Sequence, residues 1–291
     1  MSIVLPAQQT PVFRTGVALV KVDAQVIDRG GHVVTGLTAA DFEVRDDGRP
    51  QKIAYFGRES EPLDLVLLLD VSGSMHHHLQ ELAQTARAAL RPLGSGDRVA
   101  LMLFSREAVV REQFTADFGV IESDLRGAVG ERGLGSGTAI NAAIISAAQY
   151  AAKQPVRGRH AILIVTDNLS LNYKVPDDEV IRELYAADAV LNAILIGKQK
   201  RPGEPKAGTY VNPDFTPSDI FKLAAATGGE AVEARKAAES FHAMIERIRA
   251  RYSLQYAAPP GAPGAFHRIE VKVEGHPGAV VRARAGYFAA E

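Results

Sequence analysis

The spacing of apolar residues changes twice along the chain and divides it into three parts. Up to about residue 60, apolar and polar residues alternate, most clearly over 18–26, which predicts half-buried β-strands. Over 61–251, short apolar runs alternate with stretches of helical spacing. After residue 251 the alternation returns, as in 269–273. The chain therefore predicts a mixed α/β part between two β-rich ends.

The middle part predicts a doubly wound α/β fold. Its short apolar runs, bounded by turn residues, are typical of buried strands, and they lie at 65–69, 99–104, 161–166 and 190–196. Helical spacing follows most of these runs, which favours a mostly parallel sheet with helices on both faces. The stretch 108–114 is close enough to 99–104 to form a hairpin with it, so we expect one antiparallel edge strand.

The two ends each contain too few strands to form a stable sheet pair alone. We therefore predict that residues 12–60 and 252–291 form one immunoglobulin-like β-sandwich. The α/β domain, residues 61–251, would then be inserted into it.

Composition is that of an ordinary globular protein. Hydrophobic residues make up 46% and charged residues 23% of the 291 residues. The formal net charge of -1 gives no reason to expect nucleic acid or an anionic membrane as a partner. No apolar stretch approaches the roughly 20 residues of a membrane span. The absence of cysteine excludes disulfides and thiolate metal sites.

The N-terminal residues lack the basic region and long apolar core of a signal peptide. They are compatible with the remnant of a cleaved signal peptide and equally with a disordered start. We leave both interpretations open.

Candidate chemistry begins where the first buried run ends. Asp70, Ser72 and Ser74 follow 65–69 at every second position, at the carboxyl end of a strand, where open α/β sheets place ligands. One carboxylate and two hydroxyls suit an oxygen-preferring cation such as Mg²⁺. A strand-end turn with a helix cap is the simpler alternative for these three residues taken alone.

Two further loops extend the pattern. Thr138 ends the glycine-rich stretch 133–138 before a helix, and Asp167 follows the run 161–166. With Asp70, Ser72 and Ser74, these residues make the stretch 64–251 resemble the von Willebrand factor type A domain and its metal-ion-dependent adhesion site. The glycine-rich loop lacks the Gly-Lys-Ser/Thr ending of a phosphate-binding loop, so we do not expect a nucleotide there.

The resemblance implies specific roles. Ser72, Ser74 and Thr138 would bind the metal directly, while Asp70 and Asp167 would hold metal-bound waters. The expected cation is Mg²⁺, with Mn²⁺ and Ca²⁺ as alternatives. The expected event is non-enzymatic: recognition of an Asp or Glu carboxylate on a partner protein. The residue after Asp167 is Asn168, where the family usually has glycine.

The flanks also resemble a known group. Residues 36–44, the following Asp-Gly turn and the closing 284–288 are similar to bacterial VWFA-related proteins of the Acidobacterial type. Proteins of that group are usually exported, so we expect an extracytoplasmic location, secreted, periplasmic or at the cell surface. An assembly or insertion factor that acts with a partner ATPase is the alternative function, since some proteins of this fold have that role.

Loops beside the metal are candidates to contact the partner. Leu171, Tyr173 and Lys174 follow the third loop and are expected on its rim. The run His76–His78 invites a zinc interpretation, but three consecutive histidines do not face one ion from a helix, so a solvated helix start is favoured. The arginines at 247, 249 and 251 are expected to stabilise a helix end.

Overall fold

The structure is a computed structural model and describes residues 18–57, 61–135, 137–155, 157–169, 175–198 and 218–290. Leu171, Tyr173 and Lys174 lie outside these ranges. In the described part of the chain, no helix has the length and apolar character needed to cross a bilayer.

Strands and helices follow one another much as the pattern predicts. The strands, in chain order, are β1 (Leu19–Ile27), β2 (Phe42–Asp46), β3 (Arg49–Gln51), β4 (Ile53–Gly57), β5 (Leu63–Asp70), β6 (Arg98–Phe104), β7 (Ala108–Thr115), β8 (Arg159–Thr166), β9 (Ala189–Ile196), β10 (Ala231–Ala234), β11 (Tyr252–Ala257), β12 (Phe266–Val273), β13 (Val280–Arg282) and β14 (Gly286–Phe288). The α-helices are α1 (His76–Ala89), α2 (Phe118–Ala128), α3 (Ile140–Ala152), α4 (Asp177–Ala186), α5 (Ile220–Thr227) and α6 (Ala237–Arg249).

Six strands form the central sheet, in the order β10-β9-β8-β5-β6-β7. Every neighbouring pair is parallel except β6 and β7, which are antiparallel. The sheet is therefore mostly parallel, with an antiparallel edge strand. The short strand β10 at the opposite edge has no clear signal in the sequence, because it is only four residues long and lies between the Gly-Gly turn and the next helix.

Strand β5 contributes side chains to the hydrophobic cores on both faces of this sheet. Leu65, Leu67 and Leu69 pack with helices α1, α2 and α6 on one face. Val66 and Leu68 pack with α3, α4 and α5 on the other face. All eight residues of β5 are buried, which is why the strand reads as a continuous apolar run and not as an alternation.

Strands from both ends of the chain form two further sheets, which we call the two-sheet unit. The sheets have the orders β13-β1-β11-β4 and β14-β12-β2-β3. Side chains from both, such as Val22, Tyr252 and Val44, belong to one buried cluster. The unit therefore combines residues that are more than two hundred positions apart in the sequence.

Strand β1 differs from its prediction as a half-buried strand. Residues Asp23 and Gln25, on its polar face, are also buried. The side chain of Gln25 donates to the carbonyl of Arg247 at 2.7 Å, at the end of α6. The polar face of β1 is covered because the α/β part packs against it, and a single-strand pattern carries no information about that contact.

Residues 280–288 form two short strands, β13 and β14, which belong to different sheets. Between β13 and β14 the chain crosses from one sheet of the two-sheet unit to the other. Arg284 lies at the crossing, where its Nη1 donates to Asp188 Oδ1 at 2.6 Å and its Nε donates to the carbonyl of Gly286 at 2.9 Å. The contact with Asp188, which lies just after α4, fixes the position of the segment between β13 and β14.

We expect Gly228→Ala to destabilise the protein by about 2 kcal/mol or more. Gly228 ends α5 with a φ of +80°, and an added Cβ would lie 2.4 Å from the carbonyl carbon of Ala283. Both the left-handed backbone and the close approach oppose a side chain. Urea unfolding measures the change. Gly96→Ala, where the space is open and φ is not positive, should change stability by no more than about 0.5 kcal/mol.

Candidate metal centre

Asp70 ends β5 at the point where the connections of the central sheet change direction. Strands β6 and β7 lie on one side of β5, and β8, β9 and β10 lie on the other. The loops that follow β5 and β8 therefore open a crevice between them at the carboxyl edge of the sheet. In doubly wound folds, such a switch point is the usual position of a ligand site.

The Asp70 carboxylate connects two of these loops. Its Oδ1 accepts the backbone N–H of Ser72 at 2.9 Å, and its Oδ2 accepts the hydroxyl of Thr166 at 2.6 Å. Thr166 Oγ1 in turn accepts the backbone N–H of Asn168 at 3.0 Å. One buried carboxylate thus fixes the first turn after β5 and, through Thr166, the first turn after β8.

The Asp70 carboxyl has a raised pKa. Burial raises the pKa of its carboxyl above the ordinary value, hydrogen bonds from Thr166 and Ser72 oppose that rise, and the charge of Asp167 adds to it. Within the described ranges, no lysine, arginine or histidine pairs with Asp70. A buried carboxylate without such a partner favours a nearby cation.

The two serines lie beside this carboxylate in the first loop. Their hydroxyl oxygens are 3.3 Å apart. A short 3₁₀ turn, Gly73–Met75, carries Ser74 and ends on the fully buried side chain of Met75. Because Met75 anchors the loop from below, the serine hydroxyls remain at the surface of the crevice.

Ser105 places the second loop. Its hydroxyl contacts the carbonyl oxygens of Gly137 at 2.6 Å and Gly135 at 3.1 Å, and its own carbonyl accepts the N–H of Ala139 at 2.8 Å. Thr138 lies between these contacts and is only 4% exposed. Since Ser105 directly follows β6, the threonine loop is attached to the strand beside β5.

Asp167 and Asn168 form the third loop. Asp167 Oδ1 accepts the N–H of Leu169 at 3.1 Å. Asn168 has a φ of +58°, a left-handed conformation that asparagine adopts more readily than other side chains do. The departure from glycine at this position is therefore compatible with the backbone.

A cavity of about 410 Å³ joins the first two loops. Ser72, Ser105 and Gly137 line it, together with a polar wall of His76, Glu131 and Arg132. His76 Nε2 lies 2.8 Å from Arg132 Nη2, so this wall is held together by a side-chain contact. His76 begins α1 as expected. Its side chain lines the cavity, whereas the side chain of His77 is exposed.

The structure thus brings Asp70, Ser72 and Ser74 next to the third loop. The first and second loops line the same cavity. Sequence reasoning missed Thr166 and Ser105, which hold the loops without being expected ligands. Thr166 ends a predicted strand, so its side chain was assigned to the core. Ser105 follows a strand and precedes no recognisable motif.

Residues 65–169 match the family model of the von Willebrand factor type A domain. By this match, the central part of the chain is similar to a von Willebrand factor type A (VWA) domain. Domains of this family generally act as protein-interaction or adhesion modules and commonly bind a divalent metal.

Solved structures include proteins similar to this chain. An aerotolerance-related membrane protein from Bacteroides fragilis has 18% identity and a TM-score of 0.48, over 64% of this chain and 98% of that chain. A von Willebrand factor type A protein from Catenulispora acidiphila has 13% identity and a TM-score of 0.47, over 96% of this chain and 75% of that chain. No curated protein matches the chain. Because both TM-scores are below 0.5, the function is inferred from the chain's own residues.

The donor chemistry of the site fits Mg²⁺. The three loops offer hydroxyl and carboxylate oxygens, which are the ligands that Mg²⁺ prefers. The negative charge of buried Asp70, which has no basic partner within the described residues, would attract the cation. Asp70 and Asp167 each use one carboxylate oxygen to accept a backbone N–H, an arrangement that orients the carboxylates.

We expect Thr166→Val to lower the free energy of unfolding by about 2 kcal/mol, measured by urea unfolding with chelator present. The change removes a hydrogen bond to a buried carboxylate and leaves the N–H of Asn168 without its acceptor. Thr166→Ser keeps the hydroxyl and should retain most of the stability. A loss in Thr166→Ser that is as large as the expected loss in Thr166→Val, with little loss in Thr166→Val itself, would show that the methyl packing, and not the hydroxyl, is what matters.

Proposed function

We propose that the VWA domain is a non-enzymatic, Mg²⁺-dependent module that binds a partner protein through an acidic residue. Ser72, Ser74 and Thr138 would hold the metal directly. Asp70 and Asp167 would act on metal-bound waters. Mn²⁺ and Ca²⁺ are the alternative cations.

One observation carries this proposal: the buried carboxylate of Asp70 is held from two loops and lacks a basic partner in the described part of the chain. Burying such a charge is costly unless a cation offsets it. The serine hydroxyls, 3.3 Å apart, are the nearest oxygen donors on the same loop. The crevice at the switch point of the sheet is open to ligands.

The proposed ligand set explains why the partner would be acidic. Neutral hydroxyls leave the charge of a dication largely uncompensated, and a carboxylate from a partner would replace a water and supply that charge. Asp70 and Asp167 are both engaged in hydrogen bonds, so neither is poised as a general base. Binding without bond cleavage is therefore the favoured chemistry.

The same proposal extends to the domain organisation and the location. Residues 12–60 and 252–291 would form an immunoglobulin-like β-sandwich, and 61–251 the inserted VWA domain. The shared core of the two-sheet unit supports this division. An extracytoplasmic location rests on the likeness of the flanks to exported proteins.

We expect calorimetry to show Mg²⁺ or Mn²⁺ binding by the full chain, and Ser74→Ala to weaken it by at least about tenfold. Ser74 is exposed, so its loss should not alter the fold. Asp70→Ala should abolish detectable binding. Ser95→Ala removes an equally exposed serine hydroxyl from a turn away from the site and serves as the matched control. Unchanged metal affinity in Asp70→Ala and Ser74→Ala would contradict the proposal.

We expect partner capture from an envelope fraction to require the metal. A pull-down with the wild-type chain should lose its specific partner when chelator is added and when Ser74→Ala replaces the wild type. Ser95→Ala should capture as the wild type does. Recovery of an ATPase as the metal-dependent partner would favour the role of an assembly factor instead. Capture that survives chelation would argue against recognition through the metal.

A further inference from the structure

The two-sheet unit contains a second cluster of ligand-type side chains, far in sequence from the VWA site. His267 Nδ1, on β12, lies 3.0 Å from Asp46 Oδ1 and 3.1 Å from Asp47 Oδ2, at the turn between β2 and β3. These three atoms all lie within 4.8 Å of one another. We propose that Asp46, Asp47 and His267 form a binding site for a Zn²⁺-type divalent cation.

In each of the two aspartates, the carboxylate oxygen that does not face His267 already accepts hydrogen bonds. Asp46 Oδ2 accepts the hydroxyls of Tyr256 at 2.8 Å and Tyr287 at 2.9 Å. Asp47 Oδ1 accepts the backbone N–H of Arg268 at 2.9 Å. These contacts orient both carboxylates, so that the oxygens facing His267 are the ones left for an ion. Ligand carboxylates in metal sites are typically held by such outer hydrogen bonds.

A proton alone satisfies the cluster poorly. Nδ1 carries at most one hydrogen, yet it faces two carboxylate oxygens at nearly equal distances. A protonated imidazole would also leave one of the two negative charges uncompensated. A dication bound by a neutral imidazole balances both charges.

The Asp46 carboxylate is buried beside two tyrosine hydroxyls, those of Tyr256 and Tyr287, which donate to it. Asp46 itself is 1% exposed. A cation at the cluster would reduce the cost of keeping this carboxylate buried.

The donor set distinguishes this cluster from the VWA site. One imidazole nitrogen with two carboxylate oxygens suits Zn²⁺, with a water completing four ligands. Mg²⁺ prefers oxygen ligands throughout, so it should favour the VWA site. The two sites share no residue, and the failure of one proposal leaves the other intact.

Bound Zn²⁺ would fasten the turn between β2 and β3 to β12. Strand β3 is a three-residue edge strand that contains Pro50, and Pro50 has no N–H to donate to the sheet. A metal contact at the turn beside it would strengthen the pairing of β2 with β12. The expected consequence is a more stable two-sheet unit.

The test uses the full chain, stripped with chelator and then saturated with Mg²⁺, and titrates it with Zn²⁺ in a calorimeter. We expect one tight site and a rise in the unfolding temperature on adding Zn²⁺. Asp47→Asn should weaken Zn²⁺ binding by at least about tenfold and remove the thermal shift. Asparagine fits the left-handed backbone of Asp47, whose φ is +47°, and unfolding in chelator checks that the variant folds.

Asp28→Asn is the matched control. Asp28 and His32 form an exposed pair, 3.5 Å apart, on the same unit, and this variant should bind Zn²⁺ as the wild type does. Zn²⁺ affinity that is the same in the wild type and Asp47→Asn would overturn the proposal. So would binding that persists in Asp47→Asn but is lost in His77→Ala, since it would assign the ion to His76–His78.

Discussion

The buried carboxylate of Asp70 is the interaction on which the candidate metal centre depends. It lies at the end of β5, a strand whose residues are all buried, and its two oxygens accept from Ser72 and Thr166. Through these two hydrogen bonds, a single carboxylate positions the loops that follow β5 and β8. The same burial raises the pKa of the carboxyl, and within the described residues no basic side chain pairs with it. A bound cation would offset its negative charge.

The packing of β5 makes this arrangement possible. Leu65, Leu67 and Leu69 belong to one core, and Val66 and Leu68 belong to the other, so the strand is packed on both faces. Ser105, on the neighbouring strand, attaches the threonine loop by side-chain and backbone contacts. The three loops therefore extend from a packed sheet edge, as a preorganised binding site requires.

The two parts of the molecule meet through buried polar contacts. Arg251 is fully buried, and its Nη2 donates to the carbonyl of Gly228 at 2.6 Å while its Nη1 contacts the carbonyl of Asp23 at 3.4 Å. Burial lowers its pKa to about 10, which leaves it charged at neutral pH. Within the α/β part, Arg159 donates to the carbonyls of Ile248 and Arg249 at the end of α6. Arg247 and Arg249 lie in the last turn of α6, as expected, and also pair with Glu230 and Asp97.

The sequence by itself predicted most of the elements and the candidate chemistry. Buried strands showed as apolar runs and helices as apolar faces, because these signals are local. The candidate metal loops showed as Asp70, Ser72 and Asp167 after apolar runs, with Ser74 on the first loop and Thr138 before a helix. Tertiary structure decided what depends on distant residues: the burial of Asp23 and Gln25 under the α/β part, the crossing at Arg284, and the roles of Thr166 and Ser105. Only folding brings Asp46 to His267, since they lie on strands from opposite ends of the chain. The sequence pattern of neither strand predicts this contact.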